Sequence, residues 1–290
     1  MAHPAPRLRV RSTSEAGPRA SRELPLGYRN LTPMEQLHHT QPSSFVVVPA
    51  RLASSRLPRK MLLADTGKTL IQHTYEAAMQ ATSPVGLCVA TDHEEILAAV
   101  RAFGGEAKMT SADAASGTDR VAEIAAERSD IDIFVNVQGD EPELSGQSID
   151  FVIRLLQEHP PAVMSTLATP IRCRRQLEDP ACVKVVFAED GRALYFSRSV
   201  IPHPRQWDDA LLRANPPHFF QHVGIYAYRR EFLLKLAQLP RSPLEQLENL
   251  EQLRVLAAGH AIQVGVVDEP TVGIDTPADY EAFVKRYLGR

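Results

Sequence analysis

The sequence contains few cysteines, and they form no recognisable motif. Its 290 residues include three cysteines, and no two of them stand in a CxxC arrangement. An odd number of cysteines without a pairing pattern argues against a disulfide-stabilised secreted domain and favours a reducing compartment. A chain of this length also buries enough surface to fold without disulfides or a structural metal. We therefore expect a globular protein of the cytoplasm.

Long apolar stretches are missing as well. No segment approaches the roughly 20 apolar residues that a membrane-spanning helix needs. The N-terminal residues lack the apolar core of a secretory signal. These two absences predict a protein that does not insert into a membrane.

A net positive charge is missing outside the first 44 residues. The whole chain has a formal net charge of −3, whereas residues 1–44 contain six Arg and three Glu and no other charged residue except His. The remainder is therefore acidic, which argues against general nucleic-acid binding because that function uses basic faces. Any anion-binding site has to be a local cluster of Arg and Lys.

The first 44 residues differ from the rest in composition. They hold six of the 22 prolines, together with Arg, Ser and His, and show no sustained apolar periodicity. A flexible tail, an organelle-type transit peptide and a start codon placed too early all fit this segment, since Met34 precedes the first strong strand pattern closely. We predict a disordered extension over 1–44 and one domain over 45–290.

Strand and helix patterns alternate from residue 45 onwards. Residues 45–50 are apolar throughout, as in a parallel strand that is buried on both faces. Further strands are predicted over 86–91, up to Met109, and over 131–138, 162–170 and 262–267, with helices over 69–81, 93–103, 118–128, 145–158, 242–259 and 277–288. This alternation indicates right-handed βαβ units. The predicted fold is α/β, with a mainly parallel sheet.

The pattern changes around 170–230. Residues 183–187 and 192–196 flank the sequence Glu-Asp-Gly and predict a β-hairpin. A proline-rich connection follows over 200–217, and residues 219–228 resemble a strand. We interpret this region as an antiparallel insertion in the α/β domain.

The first candidate site follows the first predicted strand. Ligands of open parallel sheets bind beyond the carboxyl ends of the strands. Residues 50–60 include Arg51, Arg56, Arg59 and Lys60, which suits the binding of phosphate oxygens. The segment lacks the GxxxxGK[ST] pattern of a Walker loop. The alternative is a solvated basic loop.

Three other segments carry polar residues near predicted strand ends or helix starts. Asp140 follows a strand beside a glycine and is a candidate Mg²⁺ ligand, although this segment also suits a surface turn. Asp275 offers a second carboxylate, or a helix cap. Residues 116–120 open a helix, where capping or an anionic ligand is expected. Together these segments favour an enzyme that handles a nucleotide or phosphate, without naming its substrate.

A series of motifs occurs in order between Ser44 and Arg290. They read VVVPARLASSRLPRK, VATDHEEI, MTSADAASGTDRVAE, VNVQGDEPEL, VKVV followed by GRALYFSRSVIP, HVGIYAYR, SPLEQLENLEQLRVL and GIDTPADYE. In this order and spacing the chain resembles 3-deoxy-manno-octulosonate cytidylyltransferases, also called CMP-Kdo synthetases. SGTDR or GDEP alone would be weak, but SPLEQ and ALYFSRS separate this family from acylneuraminate cytidylyltransferases.

The resemblance implies a fold and an activity. The fold is the three-layer sandwich of nucleotide-diphospho-sugar transferases. The activity is the Mg²⁺-dependent transfer of CMP from CTP to 3-deoxy-D-manno-octulosonate (Kdo), with release of pyrophosphate, which activates Kdo for lipopolysaccharide synthesis. The family also implies a homodimer, with the contact around 185–217 and sugar binding by the insertion.

The resemblance assigns roles to residues at matching positions. Catalytic roles fall to Arg51, Lys60, Asp140 and Asp275, the last two as Mg²⁺ ligands. The nucleotide-binding residues are Arg51, Ser54, Lys60, Ser116, Gly117 and Arg120. The sugar-binding residues are Gln138, Arg198, His222, Tyr226, Glu245 and Gln246, with Arg198 as the candidate for the sugar carboxylate.

The assignment leaves alternatives and departures. Arg59 stands where the family usually has Gly, and the segment before Ser44 has no counterpart. His222 and Tyr226 could be core polar groups, and Glu245 fits a capping box without any ligand. The rival functions are activation of a related sugar acid, such as an 8-amino one, use of another nucleotide, and a catalytically silent nucleotide-binding homologue.

Overall fold

The computed structural model describes residues 42–54, 56–114, 116–268 and 272–289. The predicted disordered extension, and the choice between Met1 and Met34, therefore lie outside the described residues except for positions 42–44. The first strand begins at Ser44, close to the predicted domain boundary.

Within the described residues, nine strands form one sheet. They are β1 (Ser44–Ala50), β2 (Leu87–Thr91), β3 (Ala107–Met109), β4 (Ile133–Asn136), β5 (Ala162–Pro170), β6 (Lys184–Phe187), β7 (Ala193–Ser197), β8 (Phe220–Arg229) and β9 (Ala261–Val266). The order across the sheet is β3-β2-β1-β4-β8-β5-β9, and β6 pairs with β7 and β8. Of the strands along this path, β8 alone runs antiparallel to its neighbours.

The apolar run in β1 packs on both faces of the sheet. Val46 and Val48 belong to one core cluster, whereas Phe45 and Val47 belong to a second cluster. All four side chains are at most 3% exposed. Successive strand residues point to opposite faces, so a continuous apolar run is what a central strand between two helical layers requires. The predicted three-layer α/β architecture is confirmed.

Nine α-helices surround the sheet in the described part of the chain. They are α1 (Leu70–Ala78), α2 (Glu94–Ala102), α3 (Gly117–Glu127), α4 (Gly146–Glu158), α5 (Arg174–Glu178), α6 (Arg230–Leu236), α7 (Pro243–Glu248), α8 (Gln252–Ala257) and α9 (Pro277–Leu288). None of these helices is long and apolar enough to cross a bilayer.

The prediction of one helix over 242–259 was wrong. Asn249 adopts a left-handed conformation with φ 50°, which ends α7 before α8 begins. Asparagine tolerates this conformation better than most residues because its short polar side chain bonds locally. The sequence pattern also missed α5 and α6, which are too short for a clear helical period.

The interpretation of residues 170–230 as an insertion needs one correction. The β6–β7 hairpin is present with the predicted antiparallel pairing. However, β8 lies inside the main sheet, between β4 and β5. The antiparallel direction expected for this region is confirmed for β8. A pattern of apolar residues does not show which strands become neighbours, so the place of β8 in the main sheet was not visible in the sequence.

Candidate active site

A cavity of about 570 Å³, here named the outer cavity, opens beyond the carboxyl ends of β1 and β4. The chain runs from β1 to β2 on one side and returns as β4 on the other, which makes this a topological switch point. Most residues expected to bind substrates line it: Arg51, Ser54, Lys60, Ser116, Gly117, Arg120, Gln138, Asp140, Glu245 and Asp275.

The centre of the outer cavity is a lysine held between two carboxylates. The Nζ atom of Lys60 lies 2.6 Å from Oδ2 of Asp140 and 3.3 Å from Oδ1 of Asp275. It also donates a 2.8 Å hydrogen bond to the carbonyl oxygen of Ile274. Arg56 contacts Asp275 from the open side at 3.0 Å. Two acidic groups that are 135 residues apart in the sequence therefore converge on one cationic point.

The approach of Asp140 to Lys60 depends on the neighbouring glycine. A Cβ atom on Gly139 would lie 2.9 Å from the carbonyl oxygen of Pro49, closer than such atoms normally approach. The carbonyl oxygen of Gly139 also accepts a 2.8 Å hydrogen bond from Thr74. The β4 loop is thus held tightly against β1, and this contact aims Asp140 into the cavity.

Arg59 adopts the backbone conformation that a glycine would adopt most easily. Its φ is 56° and its ψ is 28°, in the left-handed region. The turn brings Lys60 into the short 3₁₀ helix Lys60–Leu62 with its side chain directed inward, and Lys60 is only 6% exposed. The Arg59 side chain pairs with Glu95 at the surface. The loop therefore keeps its course with arginine at this position.

The start of α3 forms another wall of the outer cavity. Ser116 and Asp119 make a reciprocal capping box, so the expected capping role of Ser116 is confirmed. The hydroxyl groups of Ser116 and Thr118 also donate to the carboxylate of Glu251, at 3.1 and 2.8 Å. Burial raises the pKa of Glu251. This carboxylate ties α3 to the start of α8.

Arg120 is engaged by protein groups. Its guanidinium donates to Oγ1 of Thr110 and to the carbonyl oxygen of Ser111, both at 2.8 Å, and pairs with Asp92. It is 5% exposed. Arg120 therefore fixes the loops after β2 and β3 where they border the cavity.

Glu245 has two structural roles in the cavity wall. It forms a capping box with Ser242 at the start of α7, as the sequence pattern allowed. It also makes a two-pronged ion pair with Arg254, at 2.6 and 2.8 Å, and both side chains are largely buried. This geometry locks α7 against α8 and stabilises the turn at Asn249.

A second cavity of about 210 Å³, here named the inner cavity, adjoins the first. Both cavities are bordered by Gly117, Gln138, Asn249 and Glu251. Of the expected sugar-binding residues, Gln138 and Tyr226 line the inner cavity. Burial raises the pKa of Tyr226, so its phenol stays protonated.

His222 lies behind this wall. It is 8% exposed, and its ring packs against Phe196 and Tyr226. Its Nε2 atom lies 2.9 Å from Oγ1 of Thr166. Burial lowers the pKa of His222 to about 3. His222 borders neither cavity and supports Tyr226 as a neutral core residue.

Arg198 and Gln246 line neither cavity. The Arg198 guanidinium donates to the carbonyl oxygens of Glu248, Pro180 and Asn249. Gln246 donates to the carbonyl oxygen of Arg241 and is exposed. The structure therefore does not bring these two side chains together with the other predicted sugar-binding residues.

Several cavity residues were missed by sequence reasoning: Arg241, Asn249, Glu251 and Arg254. The last three fall within the matching motif SPLEQLENLEQLRVL. A single continuous helix was predicted there, and the side chains of such a helix would not all face one site. The break at Asn249 directs them to the cavity, and the sequence analysis did not predict that break.

The donor set suits a cation that shares its ligands with a substrate. Among the described residues there is no group of three or more His, Cys, Asp or Glu side chains that could hold a metal ion. Asp140 and Asp275 nevertheless converge on one cation, the Lys60 ammonium. Mg²⁺ characteristically takes one or two carboxylates and completes its shell with phosphate oxygens and water. These residues therefore fit Mg²⁺ bound together with a nucleotide.

Comparison with known proteins agrees with this geometry. The cytidylyltransferase family model matches residues 45–262. A 3-deoxy-manno-octulosonate cytidylyltransferase of Rhodopirellula baltica is 52% identical over 242 residues, which are 83% of this chain and 97% of that protein. One from Syntrophotalea carbinolica is 49% identical over 235 residues, or 80% of this chain and 94% of the relative.

Solved structures show the same relationship. A CMP:2-keto-3-deoxy-manno-octonic acid synthetase complexed with CTP superposes with a TM-score of 0.79 at 41% identity, covering 85% of this chain and 99% of the other. A 4-diphosphocytidyl-2C-methyl-D-erythritol synthase from Anaerococcus prevotii, at 10% identity, has a TM-score of 0.57 over 86% of this chain and 100% of its own, and shares the fold alone. The chain belongs to the 3-deoxy-manno-octulosonate cytidylyltransferase family.

Proposed function

We propose that the protein transfers CMP from CTP to Kdo and releases pyrophosphate, which activates the sugar for lipopolysaccharide synthesis. The observation that carries this proposal is the convergence of Lys60, Asp140 and Asp275 at the switch point of the sheet. The relatives that match nearly end to end are named for this reaction, and the related structure was determined with CTP.

The triphosphate fits the cationic side of the outer cavity. Arg51, Arg56 and Lys60 come from the loop after β1, and all three line the cavity, as does Ser54. Arginine forks match phosphate oxygens in pairs, and lysine acts as a compact point charge. These cations would draw charge away from the α-phosphorus and make it easier to attack.

Asp140 and Asp275 are the proposed ligands of Mg²⁺. When bound, Mg²⁺ would neutralise phosphate charge and polarise the oxygens of the reacting group. Asp140 and Asp275 would hold the ion beside the ammonium group of Lys60, which already donates a hydrogen bond to the carbonyl oxygen of Ile274. The protein thus supplies a positioned cation and two anions before any substrate arrives.

The nucleoside fits against α3, and the sugar fits further in. Ser116, Gly117 and Arg120 form the wall proposed for the cytosine and ribose. Gln138 and Tyr226 form the wall proposed for the sugar. We propose that His222 and Arg198 act without touching the substrate. His222 packs against Tyr226, and Arg198 binds backbone carbonyl oxygens at the end of α7. Glu245 and Gln246 are both residues of α7.

The reaction needs no nucleophile from the enzyme. The anomeric hydroxyl of the sugar attacks the α-phosphorus of CTP, and pyrophosphate leaves. The catalytic task is to hold the two reactants in line and to neutralise charge. A wall that fixes the sugar next to the cationic loop is suited to that task.

We further propose that the protein acts in the cytoplasm as a homodimer, with contact around residues 185–217. Leu194, in β7, is 52% exposed and lies in the segment where the family resemblance implies the contact. Light scattering after size-exclusion chromatography would give the mass. A monomer at micromolar concentration would contradict this part of the proposal.

The decisive experiment measures pyrophosphate release with CTP, Kdo and Mg²⁺. We expect turnover that requires all three. Parallel reactions with UTP or ATP, and with an 8-amino sugar acid, test the alternative substrates. Release with another sugar acid and none with Kdo would reassign the substrate. No release with any of these sugar acids would overturn the enzymatic proposal in favour of a nucleotide-binding protein.

A further inference from the structure

The charged centre of the outer cavity depends on one apolar residue of the C-terminal segment. The backbone N–H of Ile274 donates a 2.9 Å hydrogen bond to the carbonyl oxygen of Asp140. The carbonyl oxygen of Ile274 accepts a 2.8 Å bond from Nζ of Lys60, and the next residue is Asp275. The place of Ile274 in the fold therefore determines how Lys60, Asp140 and Asp275 meet.

An apolar cluster holds Ile274 in that place. Its side chain is 1% exposed, and it belongs to one cluster with Leu57, Leu70, Tyr280 and Phe283. The two leucines come from the segment that carries the cavity lysine, and the two aromatic residues come from α9. Burial of apolar surface is favourable but not directional. The cluster therefore keeps the two segments together without fixing how they are aligned.

Tyr280 adds a directed contact between the same two segments. It is 7% exposed, and its hydroxyl oxygen accepts a 3.0 Å hydrogen bond from the backbone N–H of Asp65. Asp65 lies in a turn that is closed by a 2.9 Å bond from the N–H of Gly67 to the carbonyl oxygen of Ala64. This turn follows the short 3₁₀ helix Lys60–Leu62. Because a hydrogen bond depends on both distance and direction, Tyr280 fixes the alignment that the apolar cluster leaves open.

The first turn of α9 connects Tyr280 rigidly to Asp275. The backbone N–H of Tyr280 donates to the carbonyl oxygen of Thr276 at 3.1 Å. The carboxylate of Asp279 accepts hydrogen bonds from the backbone N–H groups of Thr276 and Asp275, at 2.8 and 3.2 Å. A shift of Tyr280 is therefore passed on to Asp275.

We infer that Tyr280 is a positioning residue that aligns Asp275 with Lys60 and thereby raises the affinity of the site for Mg²⁺ bound together with the nucleotide. This inference rests on the proposed function, in which Asp140 and Asp275 are the ligands of that ion. Tyr280 lines neither cavity, so it acts through Asp275 and not by contact with a substrate. Groups that orient a metal ligand from outside the site increase the affinity for the metal.

The test replaces Tyr280 with Phe, which keeps the ring in the apolar cluster and removes the hydroxyl. We expect the dissociation constant of the Mn²⁺–CTP complex to rise about fivefold, because Asp275 is held less precisely. Enhancement of water proton relaxation by protein-bound Mn²⁺ measures this constant in the absence of sugar, and therefore without turnover. In the turnover assay the KM for Mg²⁺ should rise by the same factor, whereas the KM for the sugar stays within twofold of wild type.

Tyr75→Phe is the matched control. Tyr75 is 8% exposed, and its hydroxyl oxygen also accepts a 3.0 Å bond from a backbone N–H, that of Glu106. It lines neither cavity. We expect the two variants to lose a similar amount of thermal stability, and the control to keep the wild-type affinity for Mn²⁺–CTP. Equal losses of affinity in both variants would overturn the positioning role, because they would trace the effect to stability alone.

A double-mutant cycle with Asp275→Asn tests the route of the effect. If Tyr280 acts through Asp275, then Tyr280→Phe should change the affinity by less than twofold in the Asp275→Asn protein. A full fivefold change in that background, or no change in the Tyr280→Phe single variant of a wild type that binds Mn²⁺–CTP, would overturn this inference alone. An Asp275→Asn protein that binds Mn²⁺–CTP as tightly as wild type would overturn the proposed metal ligand instead.

Discussion

The outer and inner cavities share a wall but differ in how they use charge. In the outer cavity, charged side chains from distant parts of the chain face one another, and Lys60 lies within 3.3 Å of both carboxylates. Around the inner cavity, amides dominate the wall, and burial keeps the titratable rings of His222 and Tyr226 neutral. The two regions are thus suited to different parts of a bisubstrate reaction.

The difference teaches how one cleft can discriminate between two anionic substrates. A nucleoside triphosphate is recognised by charge, which acts over a distance and needs cations at the cavity mouth. A polyhydroxylated sugar is recognised by directed hydrogen bonds, which need fixed and desolvated partners. Because the two kinds of wall are adjacent, each substrate binds in the region whose groups match its own.

The largest effect is expected from Asp140→Asn, which tests the charge of the outer cavity. The change keeps the shape but removes one of two converging anions, and we expect kcat to fall about a thousandfold because charge stabilisation of this kind supplies several kcal/mol. The free energy of unfolding should fall by about 1–3 kcal/mol, because the buried ammonium of Lys60 keeps Asp275 and the Ile274 carbonyl but loses its shortest contact. Pyrophosphate release and thermal unfolding measure the two quantities, and retained turnover would contradict the proposed metal role.

The pH dependence of stability tests the neutrality of the inner region. Burial lowers the pKa of His222 from 6.5 to about 3, so on acidification the unfolded chain takes up a proton that the folded ring does not. The free energy of unfolding is therefore unaffected by the titration of His222 above pH 6.5, and it decreases as the pH falls from 6.5 toward 3. At pH 5 the loss is about 2 kcal/mol.

Chemical denaturation of wild type and His222→Gln between pH 7.5 and 5 measures this slope. We expect the variant to lose stability less steeply on acidification. His260→Gln, which makes the same substitution at an exposed histidine, is the matched control. Equal slopes in all three proteins would mean that His222 does not set the pH response.

Binding of a metal ion without nucleotide tests whether Lys60 competes for the two carboxylates. In Lys60→Met we expect Mn²⁺, used as a probe for Mg²⁺, to bind about tenfold more tightly, since Asp140 and Asp275 no longer share their charge with the ammonium. Electron paramagnetic resonance of free Mn²⁺ gives the affinity directly. Turnover should fall, because Lys60 is also proposed to bind the triphosphate.

Arg51→Met provides the control for this measurement. It removes one positive charge from the same cavity, but Arg51 makes no ion pair with either carboxylate in the described part of the chain. We expect its affinity for Mn²⁺ to rise much less. Equal affinities in the two variants would show that the effect is one of overall charge.

The smallest effect is expected from Arg59→Gly. Glycine relieves the left-handed backbone at this position, a gain of about 1 kcal/mol that is partly offset by the entropy of the unfolded chain. The exposed pair with Glu95 contributes little. Thermal unfolding should therefore change by less than about 1 kcal/mol in either direction. Glu95→Gln removes the pair without changing the backbone, and a larger loss in that variant would show that the pair holds the loop.

Much of the site was predictable because the relevant residues lie at the ends of apolar strands. The continuous apolar character of β1 indicated a central strand, and the cluster of Arg and Lys that follows it was bound to lie at the carboxyl edge of the sheet. Asp140 follows β4 in the same way. For these residues, the local pattern and the rules of parallel sheets determine the location.

Other residues could not be placed in this way. The position of β8 between β4 and β5 buries His222 behind Tyr226, and a pattern of apolar residues does not show which strands become neighbours. The left-handed turn at Asn249 separates α7 from α8 and brings Glu251 and Gln252 to the cavities. Arg198 has the positive charge expected of a residue that binds the sugar carboxylate. Its guanidinium instead donates hydrogen bonds to backbone carbonyl oxygens that only the folded chain brings near it.

The sequence alone determined the α/β class, the family and the cationic loop, because these depend on local periodicity and on motifs that are contiguous in the chain. The tertiary structure decided which charges meet and which are buried. Lys60, Asp140 and Asp275 converge because three loops end at one edge of the sheet, and the inner cavity forms where β4 approaches α8. Pairing and desolvation depend on distances between segments that are remote in sequence, and those distances exist only in the folded chain.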